Sequence, residues 1–150
     1  MKRCIFTEKA PVTGAPYSQA IAYNDLLFIS GQGPINPRTN EIVRGSIEDE
    51  ARWTLDNLKA ILEAAGSSLD NVLKVTVYIK NIDDFDKFNE VYGEYFKADK
   101  PARTALQAGK LPMDIKVEID AVAYIPGRDE KSRVFGSNTA NANEKPPQLI

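Results

Sequence analysis

The sequence predicts an α+β or α/β sandwich of one domain, in which two helices cover one face of a β-sheet. A length of 150 residues suits a single domain with one core. Segments in which apolar and polar residues alternate, as in half-buried strands, are separated by two segments with apolar residues every three or four positions, as in helices. Two helices can cover only one sheet face, and the other face is mixed rather than polar. We therefore expect a homo-oligomer that stacks these faces.

Short strands joined by turns are predicted before residue 46. Residues 3–6 form a short apolar strand, and the turn-rich stretch APVTGAP follows it. The stretch IAYNDLLFISG predicts a hairpin, with strands over residues 21–23 and 26–29 and a turn at Asn24 and Asp25. Glycines and prolines interrupt the loop GQGPINPRTN, beyond which residues 41–43 favour another short strand.

The first helix has clear signals at both ends. Ser46 is a typical N-cap, and the acidic residues at 48–50 suit the positive end of a helix dipole. Gly66 ends the helix in the way that a C-terminal glycine does. Trp53 lies about half a turn of the helical wheel away from the apolar stripe. It is either an exposed aromatic residue or packs against something outside the monomer core. The stripe consists of Ile47, Ala51, Leu55, Leu58, Leu62 and Ala65.

The second half of the chain predicts a strand, a helix and two further strands. A strand over residues 73–80 buries its alternate apolar residues, and Asp83 is the predicted N-cap of the second helix. The aromatic side of this helix is predicted to pack in the core, and residues 103–108 form the next strand. The apolar residues on that side of the helix are Phe85, Phe88, Val91, Tyr92, Tyr95 and Phe96. The last strand places Val117, Ile119, Ala121, Ala123 and Ile125 on one face.

Composition excludes several kinds of site. The chain has no histidine and one cysteine, Cys4, so the usual zinc ligand sets, Ser–His and Cys–His pairs and an intrachain disulfide are excluded. Acid–base chemistry must come from Asp, Glu, Lys, Tyr or water. The net charge of −2, from 19 basic and 21 acidic residues, does not suggest a nucleic-acid-binding face. Cys4 lies in an apolar run and is predicted to be buried in a strand.

Two features concern the chain's location and its C-terminal end. No segment approaches the length of a membrane span, and the N-terminus does not have the pattern of a signal peptide, so we expect a cytoplasmic protein. Residues 127–150 are polar, have no sustained periodicity and predict a flexible tail after a domain over residues 1–126.

Three features are candidates for a functional site. Arg103 opens a strand after Pro101, where it is either an exposed edge charge or a bidentate clamp for a carboxylate. Glu118 alternates with apolar neighbours and is either a solvated carboxylate or a partly buried acid that holds water. The loops PYSQA at 16–20 and ISGQ at 29–32 combine polar groups with glycine or proline, as in loops whose backbone approaches a small ligand.

Taken together, these segments resemble the Rid family, also called the YjgF family. The segments are GAPYSQA at 14–20, LFISGQGPINPRTNEIVRG at 27–45, LDNLKAILEAAGSSLDNVLKVTVYIKNIDDF at 55–85, FNEVYGEYF at 88–96, KPARTAL at 100–106 and LPMDIKVEIDAVAY at 111–124. The resemblance implies a chorismate-mutase-like fold, with a mixed sheet, two helices on one face and a homotrimer with a barrel-like centre. It also implies sites between neighbouring subunits.

The resemblance implies a deaminase that hydrolyses 2-enamine and 2-imine acids, such as 2-aminoacrylate, to 2-keto acids and ammonia without a metal or organic cofactor. Arg103 matches the family's carboxylate-binding arginine, and Glu118 matches the acid that positions the attacking water. The remaining matched positions are substrate-binding: Tyr17, Ser30, Gly31, Asn89 and the backbone at Ala105. Many members carry a larger residue where this chain has Gly33, which leaves the preferred substrate open.

Two alternatives remain at this point. A module of the same fold could bind small carboxylates without turnover. An RNA-directed activity, as a ribonuclease or translation inhibitor, is disfavoured by the net charge of −2 and the absence of histidine.

Overall fold

A computed structural model describes residues 1–127, which form eight strands and two helices. The predicted tail therefore lies, from residue 128 onward, outside the described residues. The strands are β1 (Lys2–Ile5), β2 (Ala20–Tyr23), β3 (Leu26–Gln32), β4 (Ile35–Asn36), β5 (Glu41–Ile42), β6 (Val72–Ile79), β7 (Ala102–Gln107) and β8 (Val117–Tyr124). The helices are α1 (Ile47–Ala64) and α2 (Phe85–Tyr95).

Six strands form one mixed sheet in the order β1-β2-β3-β8-β6-β7. All neighbours in it are antiparallel except β6 and β7, which α2 connects as a parallel pair. β4 and β5 form a separate two-stranded ribbon. Both helices pack on one face of the sheet, so the predicted fold class is confirmed.

The core lies between the helices and this sheet face. The apolar stripe of α1 meets alternate residues of β8, and all five predicted inward-facing residues of the last strand are buried. The aromatic side of α2 completes the core: Phe88, Val91, Tyr92 and Phe96 are buried, and Phe85 and Tyr95 are partly buried. The interpretation of these aromatic residues as core is confirmed. Trp53 is partly buried on α1.

The two helices begin differently. Ser46 caps α1 by accepting a hydrogen bond from the Asp49 N–H, and the Asp49 carboxylate accepts one in return from the Ser46 N–H, which forms a capping box. Gly66 follows α1 with φ +81°, as predicted for its end. The predicted Asp83 cap of α2 is wrong. A short 3₁₀ turn over Ile82–Asp84 precedes α2, and Asn81 caps this turn through the Asp83 N–H.

Two predictions of burial are also wrong. Leu73 is exposed because β6 has an extra residue between its pairings of Val72 with Ala123 and Lys74 with Val122, so that Val72 faces the core instead. Cys4 is exposed because its neighbour Ile5 takes the inward position on the edge strand β1. The Cys4 Sγ accepts a hydrogen bond from the Ser18 hydroxyl at 3.6 Å.

The sheet face opposite the helices is uncovered and partly apolar. In the described part of one protomer, large apolar side chains of this face are exposed on three strands, and 46% of the Phe28 surface is accessible to solvent. They include Leu26 and Phe28 on β3, Leu106 on β7 and Tyr124 on β8. We call this surface the open sheet face.

Candidate functional site

Arg103 lies over two aromatic rings of α2. Its guanidinium carbon is 4.7 Å from the centroid of the Tyr92 ring and 5.2 Å from that of Phe85. Its Nη1 donates a 2.8 Å hydrogen bond to Oδ1 of Asn89. No carboxylate among residues 1–127 forms an ion pair with it. This arginine cluster, consisting of Arg103, Asn89, Phe85 and Tyr92, holds a cation in place and leaves its remaining N–H donors for an anion.

The spacing along α2 and the register of β7 explain the arginine cluster. Phe85, Asn89 and Tyr92 are four and three residues apart, so they share one side of the helix. Arg103 pairs with Val75 in the parallel ladder and therefore points to the helix-covered face. Ala105 pairs with Val77 and lies on the same face, two residues further along β7. The sequence predicted Arg103, Asn89 and Ala105, but not the aromatic support.

Tyr92 contributes a buried hydroxyl to the arginine cluster. Only 6% of the residue is exposed, and its hydroxyl has no hydrogen-bond partner among the described residues. Burial raises its pKa to about 12, although the positive charge of Arg103 acts in the opposite direction. The tyrosine is therefore neutral at physiological pH and supports the guanidinium through its ring.

Glu118 lies in a separate cavity of about 410 Å³. Tyr17, Ser30 and Gly31, which were predicted together with Glu118, also line this cavity. We call it the glutamate cavity. Its remaining lining residues are Thr13, Ala15, Gly33, Ile35, Pro112, Met113 and Ile115. The structure thus brings four of the predicted site residues into one cavity.

Glu118 is partly buried, which agrees with its interpretation as a partly buried acid rather than as a solvated carboxylate. Burial raises the pKa of its carboxyl group, and the negative charge of Asp120 raises it further. Its side chain packs against Gly31, where a Cβ atom would lie 2.9 Å from the carboxyl carbon and 3.0 Å from Oε2. Glycine at position 31 therefore leaves the space that this carboxyl group occupies.

Hydrogen bonds hold the loops that carry Tyr17 and Ser30. The buried Gln19 side chain donates to the carbonyls of Thr7 and Pro11 and accepts from the Thr7 N–H. The Ser30 hydroxyl donates a 2.7 Å hydrogen bond to the Ser18 carbonyl. Ser30 therefore positions the loop, and its hydroxyl oxygen can still accept a hydrogen bond.

Asn57 supports the glutamate cavity from the core side. It is buried on α1, and its Nδ2 donates to the carbonyls of Gly33 and Ile35 at 3.0 and 2.8 Å. Asn57 was not predicted, and Gln19 was predicted only as part of the loop PYSQA, without its role in holding the loop. A polar residue within an apolar stripe was the available signal for Asn57, because a buried amide needs hydrogen-bond partners.

The arginine cluster and the glutamate cavity do not meet within one protomer. Arg103 points to the helix-covered face, whereas Glu118 alternates with the buried Val117 and Ile119 and points the other way. Glu118 pairs with Tyr78, which in turn pairs with Leu106, three residues beyond Arg103 on β7. Arg103 and Glu118 of one copy therefore lie on two separate surfaces.

Two further observations concern other classes of site. No group of three His, Cys, Asp or Glu side chains within residues 1–127 is arranged to bind a metal ion. In the same part of the chain, no helix has the length and hydropathy needed to cross a membrane.

Comparisons with known proteins agree with one another. The sequence model of the endoribonuclease L-PSP family matches residues 7–125. A Pyrococcus horikoshii RutC family protein is 58% identical, covering 83% of this chain and 98% of its own length. The human 2-iminobutanoate/2-iminopropanoate deaminase is 43% identical, covering 82% and 90%. The crystal structure of E. coli TdcF with bound serine has a TM-score of 0.78 and 41% identity, covering 81% of this chain and 98% of that chain.

Proposed function

Because this chain belongs to the endoribonuclease L-PSP family, which includes the RutC and Rid proteins, we propose that it is a 2-iminobutanoate/2-iminopropanoate deaminase. Such an enzyme hydrolyses 2-imino acids to 2-keto acids and ammonia. The observation that carries the proposal is the arginine cluster, a fixed cation with free donors and no carboxylate partner among residues 1–127. It suits the carboxylate that every 2-imino acid carries.

The proposed active site is made by two copies of the chain. Arg103, Asn89 and Ala105 of one copy face Tyr17, Ser30, Gly31 and Glu118 of its neighbour, since the two groups occupy opposite sheet faces in a single copy. A homotrimer whose open sheet faces surround a central barrel provides this arrangement three times and covers the exposed apolar residues.

The proposed reaction begins with the substrate carboxylate on Arg103, which fixes the position of the C=N carbon. An enamine such as 2-aminoacrylate first tautomerises to the imine, as its terminal carbon gains a proton and its nitrogen loses one. Water, held by ionised Glu118, adds through its oxygen to the C=N carbon, and the electron pair of the C=N bond moves to nitrogen. Glu118 takes one proton from the attacking water and passes it to nitrogen, which gives a carbinolamine. Transfer of the carbinolamine hydroxyl proton to nitrogen, formation of the C=O bond and cleavage of the C–N bond then release ammonia and leave a keto group.

The residues of the glutamate cavity suit this chemistry. Burial and the charge of Asp120 raise the pKa of the Glu118 carboxyl group, and a carboxylate with a raised pKa is a stronger base than an ordinary one. In the proposed mechanism, backbone groups at Gly31 and Ala105 contact the nitrogen and neighbouring atoms of the substrate. The proposed mechanism assigns no step to a metal or organic cofactor.

A second candidate is a binding module that holds small carboxylates without turnover. It is favoured by the serine bound to E. coli TdcF, since serine has the same carboxylate and a nitrogen on the adjacent carbon. Both candidates depend on Arg103, so only measurement of the product separates them. The endoribonuclease name of the family suggests RNA as another ligand, but the net charge of −2 disfavours binding of a polyanion.

The experiment that tests the proposal is a coupled assay. A pyridoxal-phosphate dehydratase generates the imine from threonine or serine, and keto acid formation is followed with and without this protein. We expect acceleration by the wild type and a loss of kcat/KM of about a hundredfold or more in Arg103→Ala, because hydrogen bonds to a charged group contribute about 1.5–3 kcal/mol each. The matched control is Arg38→Ala, an exposed arginine outside both surfaces, which should retain activity.

Mixing two inactive variants tests whether one site needs two copies. Arg103→Ala retains an intact Glu118, and Glu118→Gln retains an intact Arg103. After unfolding and refolding together, random trimers should regain roughly a quarter of wild-type activity, because one neighbour pair in four combines both intact residues. No regain would contradict the shared site. A folded wild type that accelerates none of the imines, yet binds serine through Arg103, would replace the deaminase with the binding module.

A further inference from the structure

Arg103 lies on a strand that the sheet supports on one side only. β7 stands at the end of the strand order, and its single neighbour is β6. Pairing with β6 fixes the backbone of β7 but leaves the long arginine side chain free, and ordering such a side chain on ligand binding costs free energy. We propose that α2 positions this strand for the substrate, through an aromatic clamp formed by Phe85 and Tyr92 around Arg103 and through an anchor at Gln107. The inference rests on the proposed deaminase function and assigns positioning residues to its site.

The aromatic clamp holds the guanidinium before a ligand arrives. Phe85 and Tyr92 are seven residues apart, which is two turns or about 10.5 Å along α2. The guanidinium carbon of Arg103 lies 5.2 Å from the first ring centroid and 4.7 Å from the second, so it bridges these two turns. Asn89 lies between them on the same side of the helix and accepts a hydrogen bond from Nη1. One rigid helix thus supplies three contacts, which reduces the ordering cost of ligand binding.

The clamp also leaves suitable donors for the substrate. Among residues 1–127, Nη1 of Arg103 has a hydrogen-bond partner, whereas Nε and Nη2 have none. Nε and Nη2 form one edge of the planar guanidinium, and two parallel hydrogen bonds from such an edge match the two oxygens of a carboxylate. Loss of either ring would let the edge turn away and should weaken binding of the carboxylate.

A second contact ties the other end of β7 to the segment that begins α2. Gln107 pairs with Ile79 of β6. Its side chain therefore points to the helix-covered face, as those of Arg103 and Ala105 do. The Oε1 of Gln107 accepts a 2.9 Å hydrogen bond from the N–H of Ile82, in the 3₁₀ turn that leads into α2. The two substrate-binding positions of β7 thus lie between the aromatic clamp and this anchor. Gln107 is exposed, so the core does not require its side chain.

The test measures two constants for each variant. One is kcat/KM for the imine that a dehydratase makes from threonine, and the other is the Kd of pyruvate, a keto acid with the same carboxylate, by NMR titration. We expect Phe85→Leu and Tyr92→Leu to raise the Kd about three- to thirtyfold, the range that loss of a cation–π contact covers. They should lower kcat/KM by the same factor, because the carboxylate is bound equally in the ground state and the transition state.

Conservative variants should restore both constants. Tyr92→Phe keeps the ring and removes a hydroxyl that has no hydrogen-bond partner among residues 1–127, so it should behave as the wild type. Gln107→Ala should weaken binding about threefold, because it removes one hydrogen bond to the turn before α2. Gln107→Glu keeps the acceptor oxygen and should restore binding. Its charge is four residues from Arg103 along β7, roughly 13 Å, which exceeds the Debye length of about 8 Å.

The matched control is Phe88→Leu, which removes a fully buried ring from the same helix. Among residues 1–127, the Arg103 guanidinium lies over the rings of Phe85 and Tyr92 and not over that of Phe88. Phe88→Leu should lower the unfolding temperature and leave both constants unchanged. An equal weakening of pyruvate binding in this control would mean general damage to α2 and would overturn the proposal.

The remaining outcomes separate this proposal from the deaminase function. Wild-type constants in folded Phe85→Leu would overturn the aromatic clamp, and wild-type constants in Gln107→Ala would overturn the anchor, while the deaminase function would stand in both cases. If Tyr92→Leu does not fold, these two variants of partly or fully exposed residues still decide the matter. Hydrolysis of no imine, with pyruvate binding that Phe85→Leu weakens, would overturn the deaminase and support the clamp. A folded wild type that binds no pyruvate and hydrolyses no imine would overturn both.

Discussion

At the scale of single residues, Glu118 combines an unfavourable environment with a proposed role in catalysis. Its carboxyl group is partly buried near Asp120, with no hydrogen bond or ion pair to its side chain among residues 1–127, and its pKa is raised as a result. A group whose pKa is higher in the folded than in the unfolded state favours folding only while it is protonated. Ionised Glu118 therefore lowers the stability of the protomer near neutral pH. Such sites exchange stability for activity.

We expect Glu118→Gln to be inactive but more stable than the wild type at pH 7. Glutamine resembles the protonated acid in shape and never ionises, so it removes the cost of the buried charge. The gain should be a few degrees in the unfolding temperature. It should shrink as the pH falls toward the unfolded pKa of about 4.3, because the wild-type carboxyl group is then protonated as well.

Thermal unfolding of both proteins between pH 4 and 8 measures this effect. Asp120→Asn, with Glu118 intact, should also raise the unfolding temperature at pH 7, since it removes one cause of the raised pKa of Glu118. A less stable Glu118→Gln at pH 7 would contradict the prediction. It would mean that a cation, such as Arg103 of a neighbouring copy, holds the ionised carboxylate in the assembled protein.

At the scale of secondary-structure elements, one buried carboxylate joins α1 to the start of β8. Glu50 is 1% exposed, and its Oε2 lies 3.0 Å from Nζ of Lys116 while its Oε1 accepts from the Lys116 N–H at 3.2 Å. Oε2 has no other hydrogen-bond partner among residues 1–127, so the ion pair with Lys116 is what compensates its burial. The acidic residues at 48–50 suggested only a helix dipole effect, and the contact of Glu50 with Lys116 was not predicted from the sequence.

We expect Glu50→Ala to lower the free energy of unfolding by about 1–3 kcal/mol, because it leaves the partly buried Lys116 N–H without an acceptor. Lys116 itself is partly exposed and can turn its ammonium group to water, which limits the loss. The matched control is Glu48→Ala in the same helical turn, which should change little. Urea unfolding of the three proteins measures the difference. An equal effect of both substitutions would show that the charge near the helix end, not the contact with Lys116, stabilises α1.

Local sequence patterns were sufficient to predict most helices and strands. They were insufficient where pairing with another strand determines which side chains are buried. The Ser46 cap and Gly66 follow from local chemistry, and both were correct. The predicted burial of Leu73 was wrong because β6 has a bulge there. This bulge depends on the pairing of β6 with β8, which lies more than 40 residues away in the chain. The prediction of Asp83 as the N-cap of α2 was wrong because Asn81, two residues earlier, caps the 3₁₀ turn that precedes α2. Hydrophobic periodicity reveals neither the bulge in β6 nor the cap at Asn81.

Residue types in motifs indicated the site, but their arrangement depends on the sheet. Alternation alone placed Glu118 opposite the apolar residues of the last strand, and this was correct. For Arg103, the face depends on the parallel register with Val75, which only the crossover through α2 establishes. The family resemblance implied sites between subunits, but the separation of Arg103 from Glu118 on opposite sheet faces was not predictable from local patterns. The aromatic support by Phe85 and Tyr92 was hidden because both residues also fit the pattern of a core.

At the scale of the whole molecule, the open sheet face and the divided site have the same explanation. Exposed large apolar residues on one face of a sheet are expected where another protein surface covers them. Arg103 and Glu118 each lack their proposed counterpart within a copy. In the proposed trimer, two further copies cover this face, bury its apolar residues and bring the two proposed halves of the site together. Assembly and activity should therefore be lost together.

Phe28→Glu tests this coupling. Phe28 is 46% exposed at the centre of the open sheet face, where it pairs with Val122 of β8. A carboxylate there remains solvated in a single copy, but it would be buried without a partner in the proposed trimer, at a cost of several kcal/mol per copy. We expect light scattering to give the mass of the monomer instead of the trimer, with the circular dichroism spectrum of the folded wild type and no deaminase activity.

The matched control is Ile82→Glu, which introduces the same charge at a similarly exposed apolar residue on the 3₁₀ turn before α2, outside the sheet. It should leave both the mass and the activity unchanged. A monomeric Phe28→Glu protein with full activity would show that one copy suffices and would overturn the shared site. A trimeric Phe28→Glu protein would mean that another surface holds the copies together. In that case the open sheet face must serve a different purpose, because burial of an unpaired carboxylate at its centre would have prevented the contact.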